Sequence, residues 1–312
     1  MGSKILVSGY KGFVGYHLYK YLQQNNCEVL GLSRCIENSN TVTKNFTWNN
    51  LDKIPNNQID VFIHLAGKAH DIKKTTDPEE YFKINTGLTK KIFDIFLKSG
   101  ARDFIFLSSV KAVADTVDGE LNEMVIPNPK TAYGKSKLEA EEYLLNFTMP
   151  QGKRIFILRP CMIHGPGNKG NFNLLYQFIK RRIPYPLAAY QNKRSFLSIE
   201  NLCFVISQII NHPNISQGIY NIADDYPLST NELVKLIGEE INIKPISWKI
   251  DPSIIKVIAK MGDVFNLPIN SDRLIKLTEN YVVNNSKIKA ALQIESLPIS
   301  SKNGFSITLK SF

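Results

Sequence analysis

In the first half of the chain, short apolar runs alternate with longer stretches in which apolar residues recur every three to four positions. Residues 4–8, 28–33, 45–48, 60–65, 102–108 and 154–158 are strand-length runs, bounded by polar or turn residues. Between them, residues 12–24 set Phe13, Val14, His17, Leu18, Tyr21 and Leu22 at helical spacing. Residues 79–98 do the same with Tyr81, Ile84, Leu88, Ile92, Ile95 and Phe96, and 132–147 read as a third helix. Strands that are apolar throughout need cover on both faces, so this rhythm predicts an α/β fold built on a doubly wound parallel sheet. After about Pro160 the rhythm loosens, and Pro, Gly and Asn become frequent. Shorter helices at 174–180, 201–211, 231–242 and 251–260 then predict a smaller, mainly helical C-terminal lobe.

Composition narrows the class. Hydrophobic residues make up 43% and charged residues 21% of the 312, ordinary for a globular protein. Runs such as 61–66 are too short to cross a bilayer, and the start has no signal-peptide layout. A cytoplasmic protein without membrane insertion is therefore expected. Cys27, Cys35, Cys161 and Cys203 show neither metal nor redox spacing, which predicts reduced thiols and no metal. The formal charge of +10 suits an anionic partner. The lysines are scattered and no nucleic-acid motif accompanies them, so a small phosphate-bearing ligand is expected rather than nucleic acid. Residues 254–261 are apolar with Lys256 and Lys260 interspersed. So short a segment is expected to pack on the C-terminal lobe rather than dock on a membrane.

Gly9, Gly12 and Gly15 directly follow the first strand and open the first helix, with Phe13 and Val14 between the last two. Glycine lets the backbone turn tightly and approach a pyrophosphate, whose charge then sits on the helix N-terminus. The first gap is one residue longer than in G-x-G-x-x-G, but the strand–turn–helix setting predicts a dinucleotide site and hence a Rossmann-type sheet. The dinucleotide domain is expected to comprise residues 1–160 with about 194–224, and the substrate lobe about 161–193 with 225–312. An unmodified adenosine ribose calls for an acid at the end of the second strand, about 20 residues past the glycines. The chain has Ser33 and Arg34 there. A guanidinium pairs with a 2′-phosphate, so NADP(H) is favoured, with NAD(H) as the alternative.

Tyr133 and Lys137 stand at i and i+4 on the third helix, so both project from one face. A neighbouring cation lowers a phenol's pKa and equips it for proton exchange near neutral pH. The fifth strand ends in Leu107-Ser108-Ser109, at the carboxyl edge where open α/β sheets bind ligands. A Ser109 hydroxyl there meets the same substrate oxygen as Tyr133.

The glycine turn, Asp60–Gly67, Asn85, Ser108-Ser109, Tyr133 with Lys137, and Arg159-Pro160 resemble, in order and spacing, the extended short-chain dehydrogenase/reductases. Within these the chain looks like the NAD-dependent epimerase/dehydratase group that modifies nucleotide sugars. The resemblance implies that Ser109 polarises the reacting oxygen and Tyr133 is the acid/base. Lys137 would hold the nicotinamide ribose and lower the Tyr133 pKa. Leu65, Ala66, Gly67, Asn85 and Pro160 would line the cofactor site. Lys68, His70, Lys111 and Asn171 would face the substrate, Arg194 its diphosphate, and Arg273 a second phosphate position. His64 is expected to be a satisfied core histidine. Many relatives dimerise through helices equivalent to 79–98 and 132–147, which implies a homodimer.

Three chemistries at the sugar's C4 to C6 are open to such a chain. A 4,6-dehydratase needs a carboxylate pair after the catalytic hydroxyl, where Val110 and Lys111 stand instead, so dehydration is not expected. Arg34 favours NADPH-dependent reduction, and the Ser109–Val113 stretch with Lys68-Ala69-His70 resembles bacterial reductases, which implies a UDP-4-keto-6-deoxy-N-acetylhexosamine substrate and a product for polysaccharide synthesis. A UDP-hexose or UDP-N-acetylhexosamine 4-epimerase is the alternative. A non-catalytic scaffold of this fold has no physical need of the Ser109, Tyr133 and Lys137 trio.

Overall fold

The computed structural model describes residues 2–35, 44–69, 77–168, 171–265 and 270–312. Strands β1 (Lys4–Ser8), β2 (Glu28–Ser33), β3 (Lys44–Thr47), β4 (Val61–His64), β5 (Asp103–Leu107), β7 (Arg154–Pro160) and β10 (Gly218–Ile222) form one sheet in the order β3-β2-β1-β4-β5-β7-β10. Every pairing in it is parallel. Side chains alternate between two apolar layers, as the pleat requires. Ile5, Val7, Val61, Ile63, Ile105, Phe156 and Leu158 face one layer. Leu6, Phe62, Phe104, Phe106 and Ile157 face the other. Helices α1 (Phe13–Gln24) and α6 (Ile199–Asn211) cover the first layer, and α3 (Gly87–Lys98) and α4 (Ala132–Leu145) contribute to the second.

The remaining helices are α2 (Pro78–Tyr81), α5 (Asn171–Lys180), α7 (Thr230–Glu240), α8 (Pro252–Phe265), α9 (Ser271–Thr278), α10 (Ser286–Leu292) and α11 (Ser301–Leu309). Two short parallel pairs, β6 (Glu120–Leu121) with β11 (Val282–Val283) and β8 (Met162–His164) with β9 (Phe196–Ser198), link the late segments to the sheet. A separate apolar cluster joins Tyr176, Ile179, Tyr185, Leu187, Val234, Ile237, Ile255, Ala259 and Leu274.

Two differences from the sequence reading stand out. The long helix predicted over 79–98 is continuous but carries a π-helical turn at Phe82–Thr86. The segment at 254–261 packs only through Ile255 and Ala259, while Ile254, Val257, Ile258 and Met261 are exposed. Helical periodicity says which residues share a face but not which of two apolar faces finds a partner. No helix among the described residues is long and apolar enough to cross a membrane.

Candidate active site

The glycine turn joins β1 to α1 at the carboxyl edge of the sheet. Gly9 has φ +74°, and a Cβ there would lie 2.8 Å from the Ala66 nitrogen, so only glycine lets β1 and the segment after β4 approach. At Gly15 a Cβ would meet the Gly9 carbonyl oxygen at 2.3 Å, which is why α1 can seat directly on the turn. Gly12 is exposed and caps α1 without a side-chain bond, and the first turn has no acid. Side chains do cap α4, α6, α7 and α11, through Thr131, Ser198, Ser229 and Ser300. An amino end left bare, flanked by half-buried Phe13 and Val14, fits a pyrophosphate.

At the end of β2 the Ser33 hydroxyl donates to the Cys35 carbonyl at 2.7 Å. Arg34 is exposed beside it, and no carboxylate stands at the end of β2 among the described residues.

Asn85 is fully buried on the π-helical turn, a distortion common at functional sites. Its Oδ1 accepts from the Lys68 amide at 2.7 Å, and its Nδ2 donates to the Lys68 carbonyl at 3.1 Å and to Ser136 Oγ at 2.9 Å. Leu65, Ala66 and Gly67 are thereby fixed between β4 and α4. A Cβ on Gly67 would sit 3.1 Å from Lys137 Nζ and 3.0 Å from Asn85 Oδ1.

Lys137 is buried, donates to the Leu107 carbonyl at 2.8 Å and lies 4.8 Å from the centre of the Phe106 ring. Burial pulls its ammonium down to about 8, against the raising influence of Glu141. Burial also raises the Tyr133 phenol, with Ser109 pulling it down and Tyr81 adding to the rise. The net direction is opposite to the lowering expected of Lys137. The physical reason is that the ammonium is turned to the Leu107 carbonyl, while the phenol is desolvated. Ser109 is buried just past β5, and its Oγ accepts from the Lys111 amide at 3.2 Å.

The substrate-side candidates divide. Lys111 Nζ donates to the Asp115 carbonyl at 2.6 Å and stands 4.1 Å over the Tyr281 ring. Arg194 is held between β-bridges to Leu228 and Tyr281 and faces Glu279 at 3.6 Å. Its charge acts on Cys161, next to Pro160 at the end of β7. The fold thus gathers Lys111, Arg194 and Cys161 around Tyr281. Lys68 Nζ pairs with Glu80 at 2.8 Å. Arg273 is exposed on α9. Asn171 opens α5, and His70 lies outside the described residues. His164 is fully buried, stacked on Phe305 at 3.9 Å and bonded to Thr308, so it faces the core and not the cofactor side.

Two buried networks brace the site: the first escaped the sequence reading, and the second satisfies His64 in the core as expected. Ser108 donates to Glu141, which also receives Arg159 through two guanidinium nitrogens; side-chain exposures are 1% for Glu141 and 3% for Arg159. This pair braces the end of β5 and the Lys137 helix from behind. The second network runs through His64. Thr89 Oγ1 donates to the Asn85 carbonyl, so it accepts from His64 Nε2, and His64 Nδ1 accepts from Ser8 Oγ. His64 is therefore satisfied as the neutral imidazole, and burial beside Lys137 lowers it to about 3. The unfolded chain protonates near 6.5, so this contribution is complete above that pH and lost as pH falls toward about 3. Chemical denaturation at pH 7.5 and pH 5 should differ by about 2 kcal/mol more in the parent than in His64→Gln.

A surface recess of 860 Å³ lined by Lys4, Asp60 and Arg102 lies at the amino ends of the strands, opposite the ligand edge, and holds none of these groups.

The profile of the NAD dependent epimerase/dehydratase family matches residues 5–223, more than half of the chain. The chain belongs to this family. It is 29% identical to the UDP-glucose 4-epimerase of Vibrio cholerae, over 100% of this chain and 96% of that one. It is 25% identical to the GDP-6-deoxy-D-mannose reductase of Pseudomonas aeruginosa, over 77% and 80% of the two chains. The fold matches that of a UDP-glucose 4-epimerase from Thermotoga maritima solved with UDP-glucose, at TM-score 0.76 and 20% identity over 99% and 98% of the chains. The epimerase/dehydratase family member described here is thus an NAD(P)-dependent enzyme of the extended short-chain dehydrogenase/reductase type.

Proposed function

We propose that the enzyme reduces the C4 carbonyl of a UDP-4-keto-6-deoxy-N-acetylhexosamine with NADPH, making a polysaccharide precursor. The observation that carries this reading is Tyr133. Burial holds its phenol above the ordinary value, so it is protonated at neutral pH and ready to donate to a developing C4 alkoxide. The cofactor supplies the hydride. Ser109 binds the same oxygen, and Lys137 holds the ribose hydroxyls with its buried ammonium. Gly9, Gly12 and Gly15 receive the pyrophosphate on α1, and Arg34 the 2′-phosphate. Arg194 takes the substrate diphosphate, with Lys68, His70, Lys111, Asn171 and Arg273 around the sugar nucleotide. In this reading residues 1–160 with 194–224 bind the dinucleotide, and 161–193 with 225–312 bind the sugar nucleotide. Val110 and Lys111 offer no carboxylate pair for dehydration.

A second reading, a UDP-hexose or UDP-N-acetylhexosamine 4-epimerase, is favoured by the end-to-end match to the Vibrio cholerae enzyme. An absorbance assay separates the two. With the 4-keto sugar present, the purified protein should consume NADPH stoichiometrically and faster than NADH. Interconversion of UDP-hexoses without added cofactor, and no NADPH consumption, would establish the epimerase.

A further inference from the structure

Helix α8 presents two apolar faces, of which the fold uses one. Ile255, Ala259 and Gly262 are buried, and the first two belong to the cluster that includes Leu274 of α9. Ile254, Val257, Ile258, Met261, Val264 and Phe265 are 40% to 76% exposed. At 100° per residue these six fall within one outward arc of about 120°. An uncovered apolar stripe of this length exceeds the scattered exposure normal for a soluble surface.

The charge beside the stripe identifies what covers it. Lys256 and Lys260 are exposed along one margin. Lys244, Lys249 and the 53%-exposed Trp248 lie on the segment leading into the helix. The acid within α8, Asp263, is committed to α9, accepting from the Ser271 amide at 2.9 Å and its hydroxyl at 2.5 Å. Asp251 is committed to the start of α8, accepting from the Ser253 amide at 2.8 Å. A second copy packed antiparallel on this stripe, about a two-fold axis perpendicular to the helix, would bring the two lysine margins side by side with no uncommitted acid of α8 between them. An anionic bilayer instead accepts the apolar arc among its acyl chains and the ammonium groups among its headgroups.

We infer that α8 is a membrane-docking helix that seats this enzyme on the surface of an anionic bilayer without spanning it. This goes beyond the proposed reaction and does not depend on which sugar is reduced. The docking face is one helix from the candidate diphosphate arginine. The Leu277 carbonyl at the end of α9 receives Asn192 at 3.2 Å and Thr230 at 2.9 Å, and the following Glu279 faces Arg194.

The test is co-sedimentation of the full chain with vesicles of pure phosphatidylcholine and of phosphatidylcholine containing about a third phosphatidylglycerol. The protein should pellet with the anionic vesicles and remain in solution with the neutral ones. The double variant Lys256→Glu and Lys260→Glu should bind at least about 30-fold more weakly, at about 1 kcal/mol per lysine. Val257→Asp with Val264→Asp should abolish binding. All four positions are exposed, so the melting temperature should not move. Failure of the parent to pellet with anionic vesicles overturns the inference. So does a Val257→Asp, Val264→Asp protein that pellets like the parent but has lost a dimer by light scattering, since a second copy would then be the occupant.

Discussion

Tyr133→Phe should lower kcat by about 10²- to 10⁴-fold, the range for a positioned general acid, while NADPH binding and the melting temperature stay near the parent values. The phenol is the proton donor in the proposed reduction, and its ring contributes the packing, including an edge contact to Tyr81 at 6.3 Å. Removing one oxygen therefore deletes the acid and keeps the shape. Single-turnover kinetics with bound NADPH and fluorescence titration of the cofactor measure the two halves separately. A variant that bound cofactor tenfold worse but turned over normally would move Tyr133 from catalysis to cofactor binding.

The second large effect is on stability. Glu141→Ala leaves the Arg159 guanidinium and the Ser108 hydroxyl without their shared acceptor in a site with almost no solvent. Breaking a buried ion pair from one side costs about 3–5 kcal/mol, to be read as a drop in denaturation midpoint. The milder Glu141→Gln tests the electrostatic role. Glu141 holds the Lys137 ammonium up against burial, which alone pulls it down. The parent keeps that charge below about 8 and loses it as pH rises through that value. Its alkaline limb in kcat/KM should therefore fall near pH 8, and Glu141→Gln should shift the limb to lower pH. An unmoved limb would make Glu141 a purely structural brace.

The parallel sheet was legible because β1, β2, β4 and β5 carry consecutive apolar residues (Ile5–Val7, Val29–Leu30, Val61–Ile63 and Phe104–Leu107), a pattern that two-sided burial produces. The tight turn at Gly9 and Gly15 and the placing of Tyr133 and Lys137 on one helix were legible because each spacing has a physical purpose. The edge strand β10 was missed because Gly218–Ile222 opens on glycine and breaks its apolar run with a buried polar Asn221. The π-helical turn was invisible because Phe82–Thr86 keeps helical periodicity on both sides. Glu141 and Arg159 were 18 residues apart with no local motif to join them. The direction of the Tyr133 shift was misjudged because spacing put Lys137 on the same face but could not show its ammonium turned to Leu107. In α8 the periodicity was plain, but nothing in the sequence distinguished the packed face from the bare one.

The central claim is hydride delivery to sugar C4 with Tyr133 as the proton donor. The most direct measurement incubates the purified protein with the UDP-4-keto-6-deoxy-N-acetylhexosamine and NADPH deuterated at the transferring position of nicotinamide C4, and reads the product by NMR. The account predicts one deuterium at sugar C4, in a single configuration, and almost none with Tyr133→Phe. Product with no deuterium at C4, or equal labelling by the parent and Tyr133→Phe, would contradict it.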